Sequence, residues 1–321
     1  MDFGTLKFVS PLTRAEIFYF IAGKRNFSHH FSTAMFAKTF RMRSHCTPWI
    51  IAIALSLSFA QPPAAWAHAD LLALIDLVTK QIDAAPQNAV LFWRRGELYR
   101  SHLDWLLAEK DYTRAAQLNP KLAAVELGRA KMFFESGHLD RSRIELDKYL
   151  AVQTNDVDGL VTRARVLVKL GQRKLAIADF SRTIERAPQP MTEYFIERAQ
   201  AQVGEGENEA ALQGLNEGVK RFGASMTLQL YAIDLELALK HFDEALSRLE
   251  TISNQSERKE KWLARRGEIL VLAERPDEAK KSFGAALDAI ALLPPRLKQT
   301  PAMLDLKKGV SQALASITTK K

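Results

Sequence analysis

Five arginines stand directly before a small residue: Arg95-Gly96, Arg129-Ala130, Arg163-Ala164, Arg198-Ala199 and Arg266-Gly267. They are separated by 34, 34, 35 and 68 residues, and the skipped beat falls on Ala232-Ile233. A guanidinium is a fixed fork of donors that grips carboxylates or phosphates in bidentate fashion. Sixteen places after the first three arginines come Asp111, Glu145 and Asp179, whereas Arg198 and Arg266 meet Gly214 and Ser282 at that distance. The spacing therefore predicts internal arginine–carboxylate pairs in three units and leaves Arg198 and Arg266 without that partner. It does not describe an anion site.

Other chemistry is sparse. The chain has no phosphate-cradling glycine loop, no nucleophile elbow and no paired-histidine zinc motif. After residue 67 the histidines are His68, His102, His138 and His241, far apart in sequence, and His138 and His241 fall near expected turns. Carboxylates are spread over helix faces, and nothing sets two of them as an acid–base pair. No catalytic residue, cofactor or metal site is assigned. The one exception to weigh is His68, which becomes a terminal amine–imidazole chelator for copper if the chain is cut after Ala67.

The residues before that point look like a targeting segment. Residues 42–67 have a basic head (Met42, Arg43), an apolar run from Pro48 to Ala60 and an Ala65-Trp66-Ala67 ending, which together read as a secretory signal peptide. The run is short for a membrane crossing, which needs about 20 residues. Residues 1–41 read as an over-extended start or long leader, with translation expected from Met35 or Met42. Cys46 is the only cysteine, so disulfides and thiolate chemistry are excluded after the cut. The expected compartment is the periplasm or the exterior, with no stable membrane span once the signal is removed. The net charge of +8 belongs mostly to the front: residues 1–67 carry seven basic and two acidic groups. The basic balance therefore gives no reason to expect a nucleic-acid partner.

What must position the arginines is a repeated pair of helices. In the first unit Phe92, Gly96 and Tyr99 share one helix face, and Ala108, Tyr112 and Ala115 share the face of a second helix that ends at Pro120. The same skeleton returns as Ala130, Phe133, Gly137 and Leu146, then as Ala164, Leu167, Gly171, Ala176, Phe180 and Pro188. Ala199, Gly206, Ala211 and Leu215 follow, then Ala245 and Leu249, then Gly267, Leu270, Ala279, Phe283 and Ala286. Gly137, Gly171 and Gly206 fall where the chain reverses, a place that favours positive φ. Ile233 at the tight position predicts looser packing in the fifth unit. A period in this range signals stacked hairpins, each covered by the next.

These residues resemble the tetratricopeptide repeat, in six units over residues 89–293. The resemblance implies an all-α, right-handed superhelical solenoid of about six hairpins. Residues 68–88 are expected to form an N-terminal half-repeat. Residues 294–321 are expected to form a C-terminal capping helix and tail, in which Leu304, Leu306, Val310 and Leu314 cover the last pair. It further implies a concave groove lined by first helices that takes a protein or peptide. The groove candidates are Trp93, Glu97, Arg100, Lys131, Phe134, Val161, Arg165, Lys169, Glu193, Glu197, Gln200, Tyr231, Asp234, Lys261, Arg265 and Glu268. Lys131, Arg165 and Lys169 form an expected basic patch, and Glu193, Glu197 and Asp234 an acidic one. Trp93, Phe134 and Tyr231 are the expected aromatic anchors. A chaperone-type carboxylate clamp is not expected, because Ile196, Gln200 and Tyr231 occupy its earlier places. The implied function is an exported binding scaffold, against a metal-binding or enzyme-accessory protein using His68, or an assembly subunit of a larger complex.

The arginine pairs yield a first prediction. Arg163→Ala lowers the melting temperature more than it lowers affinity for a groove partner, read by calorimetry and titration. The opposite ranking would assign Arg163 to recognition.

Overall fold

A computed structural model describes residues 63–223 and 225–318, with side chains from residue 70 onward. The leader, the body of the signal segment, Met35, Met42 and Cys46 lie outside the described residues. Those described form fifteen helices and no strand. A long α1 (Pro63–Ala84) contains His68, starts before the expected cut after Ala67 and ends just before Pro86. Six antiparallel pairs follow: α2 (Ala89–Ser101) with α3 (Trp105–Leu118), α4 (Ala124–Glu135) with α5 (Leu139–Val152), and α6 (Val157–Lys169) with α7 (Arg173–Arg186). Then come α8 (Thr192–Gly204) with α9 (Asn208–Phe222), α10 (Met226–Ala238) with α11 (Phe242–Asn254), and α12 (Glu260–Leu272) with α13 (Pro276–Leu292). A short turn of helix, α14 (Pro295–Lys298), leads to α15 (Pro301–Thr318).

Substantial packing joins neighbouring or next-but-one helices, and α15 alone reaches back further, to α12. The core is correspondingly a series of local clusters rather than one centre. Its repeating element is a small first-helix residue opposite a large second-helix residue sixteen places on. A Cβ on Gly96 would stand 2.9 Å from the Tyr112 ring, and one on Gly267 would stand 2.5 Å from Phe283. Ala130 with Leu146, Ala164 with Phe180, and Ala199 with Leu215 share clusters in the same way. In the fifth unit Ile233 faces this role beside Leu249, and α10 and α11 meet more sparsely than the other pairs, as the bulk at Ile233 requires.

The arginines behave unequally. Arg95 holds Asp111 through two bonds of 2.7 and 2.9 Å and reaches back to the Thr79 hydroxyl on α1. Arg163 holds Asp179 at 2.7 and 2.8 Å and reaches back to Asp147. Each therefore ties its own hairpin to the preceding one, and each guanidinium is raised in pKa, first by its hydrogen-bonded aspartate. Arg129 meets Glu145 only at 3.6 Å, and its buried Nε finds no acceptor among the described residues. The extra methylene of glutamate carries the carboxylate out of the bidentate position. Arg198, with Gly214 rather than a carboxylate sixteen places on, is met instead by Glu217, nineteen places on, which accepts at 2.9 Å. In the fifth unit the arrangement is inverted. Arg248 occupies the second-helix place and donates to Glu236 and Gln229 on α10 and to Asn216 on α9.

The closing helix covers α12 and α13 with Leu306, Val310 and Leu314, as expected, but Leu304 is 53% exposed and Met303 is buried in its stead. The turn glycines Gly137, Gly171 and Gly206 have φ of 85°, 76° and 81°. On the same beat, units one, five and six place Leu103, Lys240 and Glu274 in that left-handed region, at 67°, 63° and 57°. For a residue with a Cβ this conformation costs about 1–2 kcal/mol.

A second prediction follows from these turns. Lys240→Gly raises stability in urea unfolding by about 0.5–1 kcal/mol, and Gly171→Ala lowers it by about 1 kcal/mol. No gain from Lys240→Gly and no loss from Gly171→Ala would show that the turn conformation is not strained.

Candidate functional site

Among the first helices, α2 packs directly on α4, α4 on α6 and α8 on α10, while α6 and α8, and α10 and α12, are joined by side-chain contacts. The groove candidates lie on these helices. Val161 is the exception in exposure: at 4% it is a core residue between units three and four, so it presents nothing outward.

Most of the charged candidates are bound to the next unit. Arg100 donates to Glu97 at 2.8 Å and to Glu135 on α4 at 2.6 Å. Lys131 pairs with Asp158 at the start of α6. Arg165 straddles Glu197 of α8, with both carboxylate oxygens at 3.0–3.1 Å from its Nε. Gln200 donates to the Tyr231 hydroxyl at 2.9 Å, and Arg265 bonds Glu268 at 2.9 Å and approaches Asp234 at 3.5 Å. A rung of polar contact thus crosses nearly every junction. The expected basic and acidic patches are largely cancelled by it, since Arg165 and Glu197 neutralise one another. Lys169 remains exposed, its ammonium 4.6 Å from the Phe134 ring centroid, and Glu193 is exposed beside Thr192. Lys261 lies over its own neighbour Trp262 at 4.2 Å.

Where units one and two meet, the face opens into a cavity of about 450 Å3. Trp93 and Glu97 come from α2, Leu127, Gly128 and Lys131 from α4, and Asp158 from α6. The floor adds Leu122 to Ala124 from the connecting turn, with Tyr149 and Gln153 from α5 and its end. Glu97 is committed: it accepts the Tyr112 hydroxyl at 2.7 Å as well as Arg100. Burial, and then the Glu97 charge, raise the Tyr112 pKa, so it remains a donor. For Arg100, burial is the largest influence and opposes the charge, and the Glu97 bond together with the charges of Glu97 and Glu135 outweighs it, so its pKa rises. Gly128 allows this closeness, since a Cβ there would be 2.5 Å from Glu97 Oε1. Tyr149 is pushed up to about 12, chiefly by burial and then by Asp156. The Trp93 indole N–H is buried with no acceptor among the described residues, a state that costs about 1–3 kcal/mol.

Three predicted residues, Trp93, Glu97 and Lys131, therefore come together, while the others are strung along the face. Tyr149 and Gln153 were not anticipated, because second-helix residues were assigned to the core. Gly159 was the available signal: a Cβ there would meet the Tyr149 ring at 2.8 Å, so the glycine marks where the ring passes. Among the described residues no cluster of three or more possible metal ligands occurs, and no helix is long and apolar enough to cross a membrane.

Among solved structures, the chain is similar to a tetratricopeptide repeat protein from Parabacteroides merdae (17% identity, TM-score 0.47, 76% of this chain and 93% of that one). It is also similar to YrrB, described as a TPR protein with an unusual peptide-binding site (18% identity, TM-score 0.45, 61% and 97%). A third is pilF of Pseudomonas aeruginosa (14% identity, TM-score 0.45, 74% and 99%). No protein-family model matches the chain, and no curated protein matches it.

The polar rungs generate a third prediction. A double-mutant cycle on Arg165 and Glu197, which are 39% and 27% exposed, gives a coupling of about 0.2–1 kcal/mol that shrinks with added salt. A larger coupling that ignores salt would mean that the pair is a structural tie like Arg163–Asp179.

Proposed function

We propose that the chain is an exported protein-binding scaffold whose first-helix face receives a segment of a partner protein. The observation that carries the reading is the continuity of that face. Successive first helices are linked by side-chain contacts from unit to unit, which would order the surface before a partner arrives. Preorganisation of this kind reduces what binding must spend on ordering side chains. The half-buried aromatics Trp93, Phe134 and Tyr231 offer apolar area along it. The resemblance to YrrB, whose description includes a peptide-binding site, agrees in kind. Export is proposed from the basic head, apolar run and Ala-Trp-Ala ending upstream of His68.

The test is affinity capture from a native extract with the purified mature chain and with Lys169→Glu/Gln200→Lys, which alters exposed groups. One discrete partner is expected, recovered at least tenfold less by the variant while its circular dichroism is unchanged. Equal recovery would place recognition on another surface.

A further inference from the structure

At the junction of units one and two the face carries a cavity of about 450 Å3, and the chemistry of its lining is restrictive. Its ionised groups are already matched. Glu97 takes Tyr112 and Arg100, and Lys131 takes Asp158. A charged side chain entering the cavity would have to compete with existing pairs, Glu97 with Arg100 and Asp158 with Lys131. What stays unmatched is neutral: apolar wall from Leu122, Leu127 and the Trp93 and Tyr149 rings, the exposed Gln153 carboxamide, and the unsatisfied Trp93 N–H. A carboxamide can donate and accept at once, which suits a peptide group. The indole needs an acceptor, and a small rotation toward the cavity would supply one from a main-chain carbonyl.

We infer that this cavity is a specificity pocket for one large uncharged side chain of an extended partner peptide, with Gln153 and Trp93 engaging the flanking main chain. The inference rests on the scaffold reading and adds where the partner is anchored and by what chemistry. A volume of about 450 Å3 falls within the 300–1,000 Å3 usual for ligand pockets. Discrimination comes from mismatch. Lysine or glutamate in this place would have to break an existing ion pair to be matched, whereas leucine or phenylalanine meets apolar wall from Leu122, Leu127 and the Trp93 and Tyr149 rings.

The experiment uses the full mature chain labelled with nitrogen-15 and three blocked peptides, acetyl-Gly-X-Gly-amide, with X as leucine, lysine or glutamate. The Trp93 indole resonance is assigned by its loss in Trp93→Phe. The leucine peptide is expected to shift that resonance saturably, with at least tenfold tighter binding than the other two. Ala124→Phe, which fills the cavity without touching an ion pair, is expected to abolish the shift at unchanged helicity. No saturable shift with any peptide, equal binding of lysine or glutamate, or an unaffected Ala124→Phe would overturn the pocket. If the pocket fails while Lys169→Glu/Gln200→Lys still loses its discrete partner, only this inference falls. If both fail, the scaffold reading falls with it.

Discussion

Everything in this molecule hangs on how closely the two helices of a hairpin can approach. The distance is set where a small first-helix residue receives a large second-helix one: Gly96 under Tyr112, Ala164 with Phe180, Gly267 under Phe283. Glycine or alanine under an aromatic ring, and alanine with leucine, all keep the first-helix residue small at this contact, as close-packed interiors require. Once the approach is fixed, both helices present the same apolar edges at every step, so each hairpin can cover the next. The face that the first helices share follows from that repetition rather than from any one unit.

The polar groups fit this frame in two layers. Toward the second helices, arginines at the notch join successive hairpins: Arg95 to Asp111 and Thr79, Arg163 to Asp179 and Asp147. These pairs are largely shielded, and removing one partner would strand a buried charge. Toward the first-helix face the rungs are more exposed and individually weak. Their value is in fixing side-chain positions along a surface, and in cancelling charge there. A groove that looks bipolar when residues are read one by one is close to neutral once Arg165 meets Glu197 and Lys131 meets Asp158. On the proposed scaffold reading, selectivity would rest on shape and apolar chemistry of the kind the cavity beside Trp93 offers.

The hairpins were legible because their cause is local. The 34-residue beat, the helix-ending prolines and the turn glycines all act within a unit. The errors arose where the cause crosses units or where one residue type substitutes for another. Arg248 was invisible to a search for arginine before a small residue, since the charge pair there is reversed across the hairpin. Glu217 was missed as the partner of Arg198 because Gly214 vacates the usual place and the guanidinium reaches one turn further. Leu103, Lys240 and Glu274 adopt a glycine conformation with no glycine to announce it. The rungs join residues 27 to 35 apart, a reach that depends on how units stack. The cavity was legible only in part: Trp93, Glu97 and Lys131 lie on the outward stripes, whereas Tyr149 enters from the second helix.

The most direct measurement is a double-mutant cycle on Gly267 and Phe283, replacing them by the alanine and leucine found in other units. Gly267→Ala alone should destabilise in urea unfolding by about 1–3 kcal/mol, because its Cβ would strike the ring. In the Phe283→Leu background the same change should cost at least about 1 kcal/mol less, the non-additivity expected of residues in contact. Strictly additive costs would show that the notch does not set the helix approach, and the account of the stack and of its shared face would be contradicted.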